Sequence, residues 1–190
     1  MPRLDLIGPS FRRGIRQMRY CCKRVGSLLV VKRLQVTDCD LIYESAFLNT
    51  MTRFEGLLNL LLEEFICGQG SRNKGHFALI TPRSRPVFRD VLTGGRPYVD
   101  LMPFKDCVDI ASRFLNDAHP FSDIEMADRD ILAQAVLVRN AIAHRSDSAI
   151  GTFRKNVNGV SSLPRHRQYP GPYLRRFFRS QPTATWNACT

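Results

Sequence analysis

The stretch ILAQAVLVRNAIAH occupies residues 131–144 and has the pattern of a helix with one buried face. The apolar residues of that face recur at spacings of four, three and four: Ile131, Ala135, Val138 and Ile142. The stretch ends in Arg139-Asn140-Ala141-Ile142-Ala143-His144. An arginine can hold a phosphate through its planar, charged fork, and a histidine can move a proton near neutral pH. The stretch therefore predicts both a helix and a candidate site for phosphodiester chemistry.

A second helical pattern runs from Tyr43 to Ile66. Its stripe has alternating spacings of four and three residues: Phe47, Met51, Phe54, Leu58, Leu61 and Phe65. Further leucines widen this stripe, which is typical of a helix buried on more than one side. Gly68 and Gly70 are expected to end the helix.

Shorter signals complete the fold prediction. A helical pattern from Phe104 to Leu115 precedes Ser122 and Glu125, which have the spacing of a capping box at the start of the next helix. Residues 68–102 contain many Gly, Pro and Arg and predict a long irregular insertion, and the chain after Gly151 is also predicted to be irregular. Because there is no series of alternating strands, the sequence predicts an all-α helical bundle.

The net charge of +11 is concentrated at the two ends of the chain. Residues 1–33 contain nine Arg or Lys and one acidic residue, and residues 151–190 contain seven Arg or Lys and no acidic residue. We therefore expect a basic N-terminal arm over residues 1–35, with disorder or a transit peptide as alternatives, then a helical domain over 36–180 and a tail over 181–190. Basic arms favour a polyanionic partner such as RNA, although they could also serve solubility alone.

Cysteine usage and hydropathy restrict the remaining classes of protein. The six cysteines include no CxxC pair, and no histidine completes a zinc-ligand spacing with them. We therefore predict reduced thiols in a cytoplasmic protein, with no metal and no cofactor. The longest apolar run, residues 57–66, is interrupted by Asn59, Glu63 and Glu64, so no membrane association is expected.

The geometry of the Arg–His string leaves several arrangements open. Asn140 and His144 are four residues apart and share a helical face, whereas Arg139 and His144 lie about 140° apart and about 7.5 Å along the axis. The two side chains could converge if the helix ends near His144, if Arg139 bends along the surface, or if a two-fold partner brings two strings to one cleft. Alternatively, Arg139 pairs with an acidic residue and His144 caps the helix C-terminus.

A symmetric dimer would satisfy the chemistry of RNA cleavage through the 2′-hydroxyl. That reaction needs a base for the hydroxyl, an acid for the leaving 5′-oxygen and positive charge on the phosphorane. One chain offers one suitably placed histidine, whereas a two-fold dimer offers two histidines and two arginines. This scheme requires no metal.

The residues around the string resemble a known family. Arg139 to Ser146, followed by Ala149 and Phe153, resembles the signature of HEPN ("higher eukaryotes and prokaryotes nucleotide-binding") domains of the RiboL-PSP-HEPN type. The resemblance covers roughly residues 40–180. Weaker matches flank the string: Glu44–Phe47, Phe54–Glu55, Arg89–Val91, Tyr98–Asp100, Pro120–Ser122 and Gly171–Arg175.

This resemblance implies an all-α homodimer with a composite cleft and metal-independent endoribonuclease activity. It also implies a role as a toxin or in defence against phage, with an antitoxin as a possible protein partner. Carried over to this sequence, Arg139 would stabilise the phosphate, His144 would transfer protons, and Asn140 would position substrate or His144.

Five residues are candidates for substrate binding: Arg145, Ser146, Tyr173, Arg175 and Arg176. Ser146 could instead cap the turn after the motif, and Tyr173 could instead pack on the helical body. Two further hypotheses are a non-catalytic module that binds RNA or protein, and an inactive domain that lacks a closing helix.

Overall fold

The computed structural model describes residues 4–67, 78–80, 82–96 and 99–180. These residues form α-helices, short 3-10 turns and connecting segments, with no β-strand among them, so the predicted all-α class is confirmed. The seven helices are α1 (Leu4–Val30), α2 (Val36–Cys67), α3 (Arg85–Thr93), α4 (Phe104–Ala111), α5 (Met126–His144), α6 (Asp147–Asn156) and α7 (Pro170–Ser180).

The described chain forms two compact units, and each unit combines segments that are distant in the sequence. The first unit comprises Met1–Arg13 and Met51–Val136, and the second comprises Gly14–Thr50 and Leu137–Thr190, in each case as far as these residues are described. The whole Arg139–His144 motif lies in the second unit.

Helix α1 occupies Leu4–Val30, within the segment 1–35 that the sequence predicted to be a basic N-terminal arm. Its apolar residues Met18, Cys22, Val25 and Leu29 are spaced by four, three and four, which makes one helical stripe. Cys22 and Val25 are buried in the core of the second unit, and Met18 and Leu29 pack against it. The prediction missed this helix because its six basic residues accompany a stripe of only four apolar side chains.

The core of the second unit joins α1 to the motif helix. Its buried residues come from five helices and the segment after α6: Cys22, Val25, Cys39, Tyr43, Ala46, Val138, Ala141, Ile142, Phe153, Val157, Val160 and Leu174. The Tyr43 hydroxyl donates a hydrogen bond to the backbone oxygen of Cys22 over 3.1 Å, which satisfies a polar group inside this core.

The first unit contains a helix within the segment that was predicted to be an irregular insertion. Helix α3 begins after Ser84, whose hydroxyl accepts a hydrogen bond from the backbone N–H of Val87, and ends at Gly94 in a left-handed conformation. Phe88 of α3 is buried and packs edge-on against Phe114 with ring centroids 5.5 Å apart. The expectation that Gly68 and Gly70 end α2 concerns residues outside the described ranges.

Two predicted helix boundaries in this unit are corrected. Helix α4 ends at Ala111 rather than near residue 115, because Leu115 joins a backbone bridge to Ala78. Helix α5 begins at Met126, and Ser122 lies in a separate 3-10 turn rather than capping α5. The Arg129 side chain instead connects that turn to α5 by donating to the backbone oxygens of Ser122 and Ile124.

The chain after Gly151, which was predicted to be irregular, contains the second half of α6 and all of α7. Helix α6 starts before Gly151, and Ser146 caps it. Helix α7 begins with Pro170, and the missing N–H of proline costs nothing at the first position of a helix. Within the described ranges, none of the helices combines the length and the apolar character needed to cross a membrane.

Candidate active site

The motif occupies the last two turns of α5, and His144 is the final residue of that helix. Val138, Ala141 and Ile142 point into the core of the second unit. The three candidate catalytic residues take the other positions, since Arg139 and Asn140 are half-buried and His144 is exposed. The apolar periodicity of the helix therefore fixes which side of the motif meets solvent.

Arg139 and Asn140 are held together by a direct hydrogen bond. The Arg139 guanidinium donates to the side-chain oxygen of Asn140 over 3.1 Å. This contact restricts the guanidinium and leaves the Asn140 amide nitrogen as a donor. Asn140 thus positions Arg139, whereas the sequence analysis predicts that Asn140 positions substrate or His144.

The end of α5 determines where His144 is presented. Helix α5 stops at His144, which is the helix end that the first of the three arrangements requires. The following residue, Arg145, has φ +49, a left-handed conformation that is uncommon for a side chain other than glycine. The His144 imidazole forms no hydrogen bond or ion pair with the described residues, so the helix end presents it to solvent.

The two residues after the motif have structural partners. Arg145 donates to Glu44 Oε2 on α2 over 2.9 Å, and the Glu44 side chain is only 14% exposed. The Ser146 hydroxyl accepts a hydrogen bond from the backbone N–H of Ala149 over 3.2 Å and so caps α6. For Ser146, this geometry is the capping alternative that the sequence offered beside substrate binding.

Arg175 pairs with a second acidic residue of α2. Its Nε lies 3.2 Å from Asp40 Oδ1, and both side chains are more than four-fifths buried. That carboxylate oxygen accepts no hydrogen bond from the described residues, so the contact is electrostatic. Burial raises the pKa of Asp40, with Arg175 opposing this effect and the neighbouring Glu44 adding to it.

The start of α7 lies directly against the same two acidic residues. A Cβ atom on Gly171 would lie 2.6 Å from Asp40 Cβ and 3.1 Å from Glu44 Oε1, so no other residue fits there without movement. Asp40 and Glu44 are four residues apart on α2 and share one face. They hold the turn after α5 through Arg145 and the first turns of α7 through Arg175.

The remaining candidates for substrate binding divide between packing and surface positions. Tyr173 is half-buried and packs edge-on against Phe153 with ring centroids 5.7 Å apart, and burial raises its pKa. This is the packing alternative for Tyr173. Arg176 is exposed and donates to the Ser162 hydroxyl over 3.0 Å. The side chains of Phe177 and Phe178, which follow Arg176 in α7, lie outside the described set.

The structure brings together Arg139, Asn140 and His144 on one helix end and places Arg145 and Ser146 in the turn that follows. Sequence reasoning missed Asp40 and Glu44 as partners of this region. Asp40 and Glu44 are four residues apart at the start of the predicted Tyr43–Ile66 helix, which is a signal, but such a pair usually marks a solvated face. None of the protein families, curated proteins or solved structures with which the chain was compared matches it.

Proposed function

We propose that this protein is a metal-independent endoribonuclease of the HEPN type. The observation that carries the proposal is the contrast between two arginines with acidic partners and the exposed His144. Arg145 and Arg175 are ion-paired to Glu44 and Asp40, whereas His144 faces solvent beyond the Arg139–Asn140 pair. A phosphate-holding group and a proton-transfer group therefore stand on the last two turns of one helix.

The proposed reaction is cleavage of an RNA strand by its own 2′-hydroxyl. One imidazole takes the proton of the 2′-hydroxyl, and the oxygen attacks the adjacent phosphorus. The bond from phosphorus to the 5′-oxygen then breaks, and that oxygen receives a proton from an imidazolium. The products are a 2′,3′-cyclic phosphate and a 5′-hydroxyl, and the Arg139 guanidinium stabilises the charge on the phosphorane between them.

A homodimer supplies the acid and the base together. One chain contributes a single motif histidine, so a two-fold partner with its own His144 completes the pair. The resemblance to the HEPN family supports this arrangement. It also supports a cytoplasmic role as a toxin or in defence against invading nucleic acid, with an antitoxin as a regulatory partner.

The proposal is tested by incubating the full chain with mixed cellular RNA in the presence of EDTA. Wild-type protein is expected to cleave, and His144→Ala is expected to lose about 10²–10⁴-fold in rate because acid–base catalysis contributes that much. Arg139→Ala is expected to lose about 10²–10³-fold, as for other groups that stabilise an oxyanion. His166→Ala, which removes another exposed histidine, is the matched control and should cleave at the wild-type rate.

Equal residual cleavage by wild type, Arg139→Ala and His144→Ala would contradict the catalytic role. The non-catalytic RNA-binding module would then be the better account, and the exposed cations of α1 favour it over an inactive chain.

The composite cleft has its own test. Mixing wild type with an excess of His144→Ala should suppress cleavage, because a mixed dimer contains only one His144 and lacks either the acid or the base. Cleavage that stays proportional to the amount of wild-type chain, with mixed dimers demonstrated by mass spectrometry, would place a complete site in each chain.

A further inference from the structure

The solvent-facing side of α1 in the second unit carries four cations, which we call the basic face: Arg16, Arg19, Lys23 and Arg24. All four side chains are exposed. At 100° per residue they fall within about 140° of the helix circumference, and they span about 12 Å of its axis. No acidic residue occurs in α1 after Asp5, so this helix offers no acidic partner to Arg16, Lys23 and Arg24.

Three cations of the basic face differ in their pairing from Arg145 and Arg175, two arginines of the same unit. Arg145 and Arg175 each contact a carboxylate of α2. Arg16, Lys23 and Arg24, in contrast, form no ion pair with the described residues. Like charges on neighbouring turns of a helix repel one another, so a polyanion that lies along this face would relieve the repulsion.

An aromatic side chain lies among these cations. Tyr20 is 66% exposed and is four residues from both Arg16 and Arg24, so it shares their side of α1. A large exposed ring between cations is the arrangement by which proteins stack nucleobases while binding the phosphates of the same strand.

The opposite side of α1 excludes the other common polyanionic surface. Cys22 and Val25 are buried in the core of the second unit, and Met18 and Leu29 pack against it. An amphipathic helix that binds a membrane must insert its apolar side into the lipid, and here the protein core occupies that side. The basic face therefore fits a nucleic acid better than a lipid surface.

We infer that the basic face of α1 binds single-stranded RNA, with Arg16, Lys23 and Arg24 contacting phosphates and Tyr20 stacking on a base. This inference goes beyond the proposed cleavage, because binding at α1 does not require His144. The same core that buries Cys22 and Val25 also buries Val138 and Ile142 of α5, so the RNA surface and the motif belong to one unit.

The test uses full-length protein that carries His144→Ala, so that the RNA remains intact during the measurement. Binding of a fluorescein-labelled single-stranded RNA is followed by fluorescence anisotropy. The face variant combines Arg16→Gln, Lys23→Gln and Arg24→Gln. The matched control combines Arg83→Gln, Lys105→Gln and Arg113→Gln, which removes the same charge from exposed positions elsewhere. The face variant should lose at least 10-fold in affinity, and the control less than 3-fold.

The salt dependence of RNA binding distinguishes direct phosphate contacts from general electrostatic attraction. Each phosphate contact on a single strand contributes about 0.7 to the slope of log K against log salt concentration. Removal of three contacts should therefore make the slope shallower by about 2, whereas the control should keep the wild-type slope. Equal losses and equal slopes for the two variants would overturn the assignment to α1.

Tyr20 provides an independent arm of the test. Tyr20→Phe keeps the ring and should bind RNA like the parent protein, whereas Tyr20→Ala should lose about 5-fold or more. Neither change should alter binding to inorganic polyphosphate, which has no bases. Equal affinity of both variants for RNA would contradict stacking.

Vesicles of phosphatidylcholine, with and without phosphatidylserine, test whether the basic face binds a lipid surface instead. If the face variant loses binding to phosphatidylserine vesicles but keeps its RNA affinity, the surface binds lipid and the inference is wrong. If the protein with His144 intact binds RNA through the basic face but does not cleave it, this inference stands and the proposed cleavage fails.

Discussion

The two ends of α2 both carry acidic residues that bind arginines from later segments, but the two clusters differ in what they hold. The N-terminal cluster, in the second unit, consists of Asp40, Glu44, Arg145 and Arg175. The C-terminal cluster, in the first unit, consists of Glu63, Glu64, Arg85 and Arg89.

The C-terminal cluster is the more complete network. Glu63 is 7% exposed and accepts three hydrogen bonds, one from Arg85 and two from Arg89, while Glu64 forms an ion pair with Arg85. Every contact in this cluster attaches α3 to α2. Because Glu63 is buried and hydrogen-bonded to two arginines of α3, this cluster acts as a structural clamp between α2 and α3.

The N-terminal cluster is less satisfied and lies beside the motif. Asp40 Oδ1 is buried without a hydrogen bond, and Glu44 holds Arg145, the strained residue that follows His144. A polar network that leaves a buried oxygen unsatisfied contributes less stability than a complete one. The comparison indicates that one cluster serves the fold, whereas the other also positions the end of the motif helix.

The largest stability effect is expected from Glu63→Ala in the C-terminal cluster. Removal of three charge-assisted hydrogen bonds from a buried acceptor should lower the free energy of unfolding by about 3 kcal/mol, as measured by urea denaturation. Arg89→Ala should cost less than about 1 kcal/mol, because the Arg89 side chain is 62% exposed. Similar losses for the two variants would contradict the assignment of Glu63 as the centre of the clamp.

Gly171→Ala should be the next most destabilising change and tests the packing of the N-terminal cluster. The new Cβ would lie 2.6 Å from Asp40 Cβ, so the free energy of unfolding should fall by about 1–3 kcal/mol. Gly56→Ala is the matched control on α2, where a Cβ meets nothing within 4 Å, and it should stabilise the helix by about 0.5–1 kcal/mol. Opposite shifts in melting temperature are expected, and shifts of the same sign would contradict the model of this contact.

Glu44→Ala should separate activity from stability. Arg145 is 66% exposed, so loss of its ion pair should cost less than about 1 kcal/mol. If the proposed cleavage is correct, the cleavage rate should still fall about 10-fold at unchanged RNA affinity, because misplacement of a catalytic group reduces rate without reducing binding. Arg145→Ala should produce the same loss, and the double variant should lose no more than either single variant. A fully additive double variant would contradict the shared role.

Asp40→Asn should have the smallest effect, visible as a dependence on pH. Burial raises the pKa of Asp40 in the folded protein above the ordinary aspartate value of about 4. Between these two pKa values, the folded wild type therefore binds more protons than the unfolded chain does. The contribution of Asp40 to stability is therefore present at low pH and is lost as the pH rises through the folded-state pKa. Relative to wild type, the variant should gain stability between pH 4 and pH 7 in urea denaturation, and the opposite trend would contradict the sign of this pKa shift.

The sequence predicted the fold best where apolar residues repeat strongly. The stripes around Phe47–Phe65 and Ile131–Ile142 predicted the existence of α2 and α5, since large aliphatic and aromatic side chains dominate burial, although α2 begins at Val36 rather than Tyr43 and α5 begins at Met126. Helix α1 was missed because its stripe consists of Met, Cys, Val and Leu among arginines. Helix α3 depends on the Ser84 cap and the single buried Phe88, which are too local to stand out in a segment rich in Gly and Pro.

Within the candidate site, the sequence located the residues on α5 but not their partners. Adjacent or nearby residues such as Arg139, Asn140 and His144 can be read from a single helix. The pairing of Glu44 with Arg145 joins residues that are 101 positions apart, so only the folded chain reveals it. The use of Ser146 as a cap could be predicted, because a cap depends on local spacing alone.

The most direct test of the central claim is the chemical nature of the ends that the protein leaves on a defined RNA in EDTA. The account predicts 2′,3′-cyclic phosphate and 5′-hydroxyl ends from wild type and from His166→Ala, and neither end from His144→Ala. Termini bearing a 3′-hydroxyl, or the same products from all three proteins, would contradict the assignment of RNA cleavage to the end of α5.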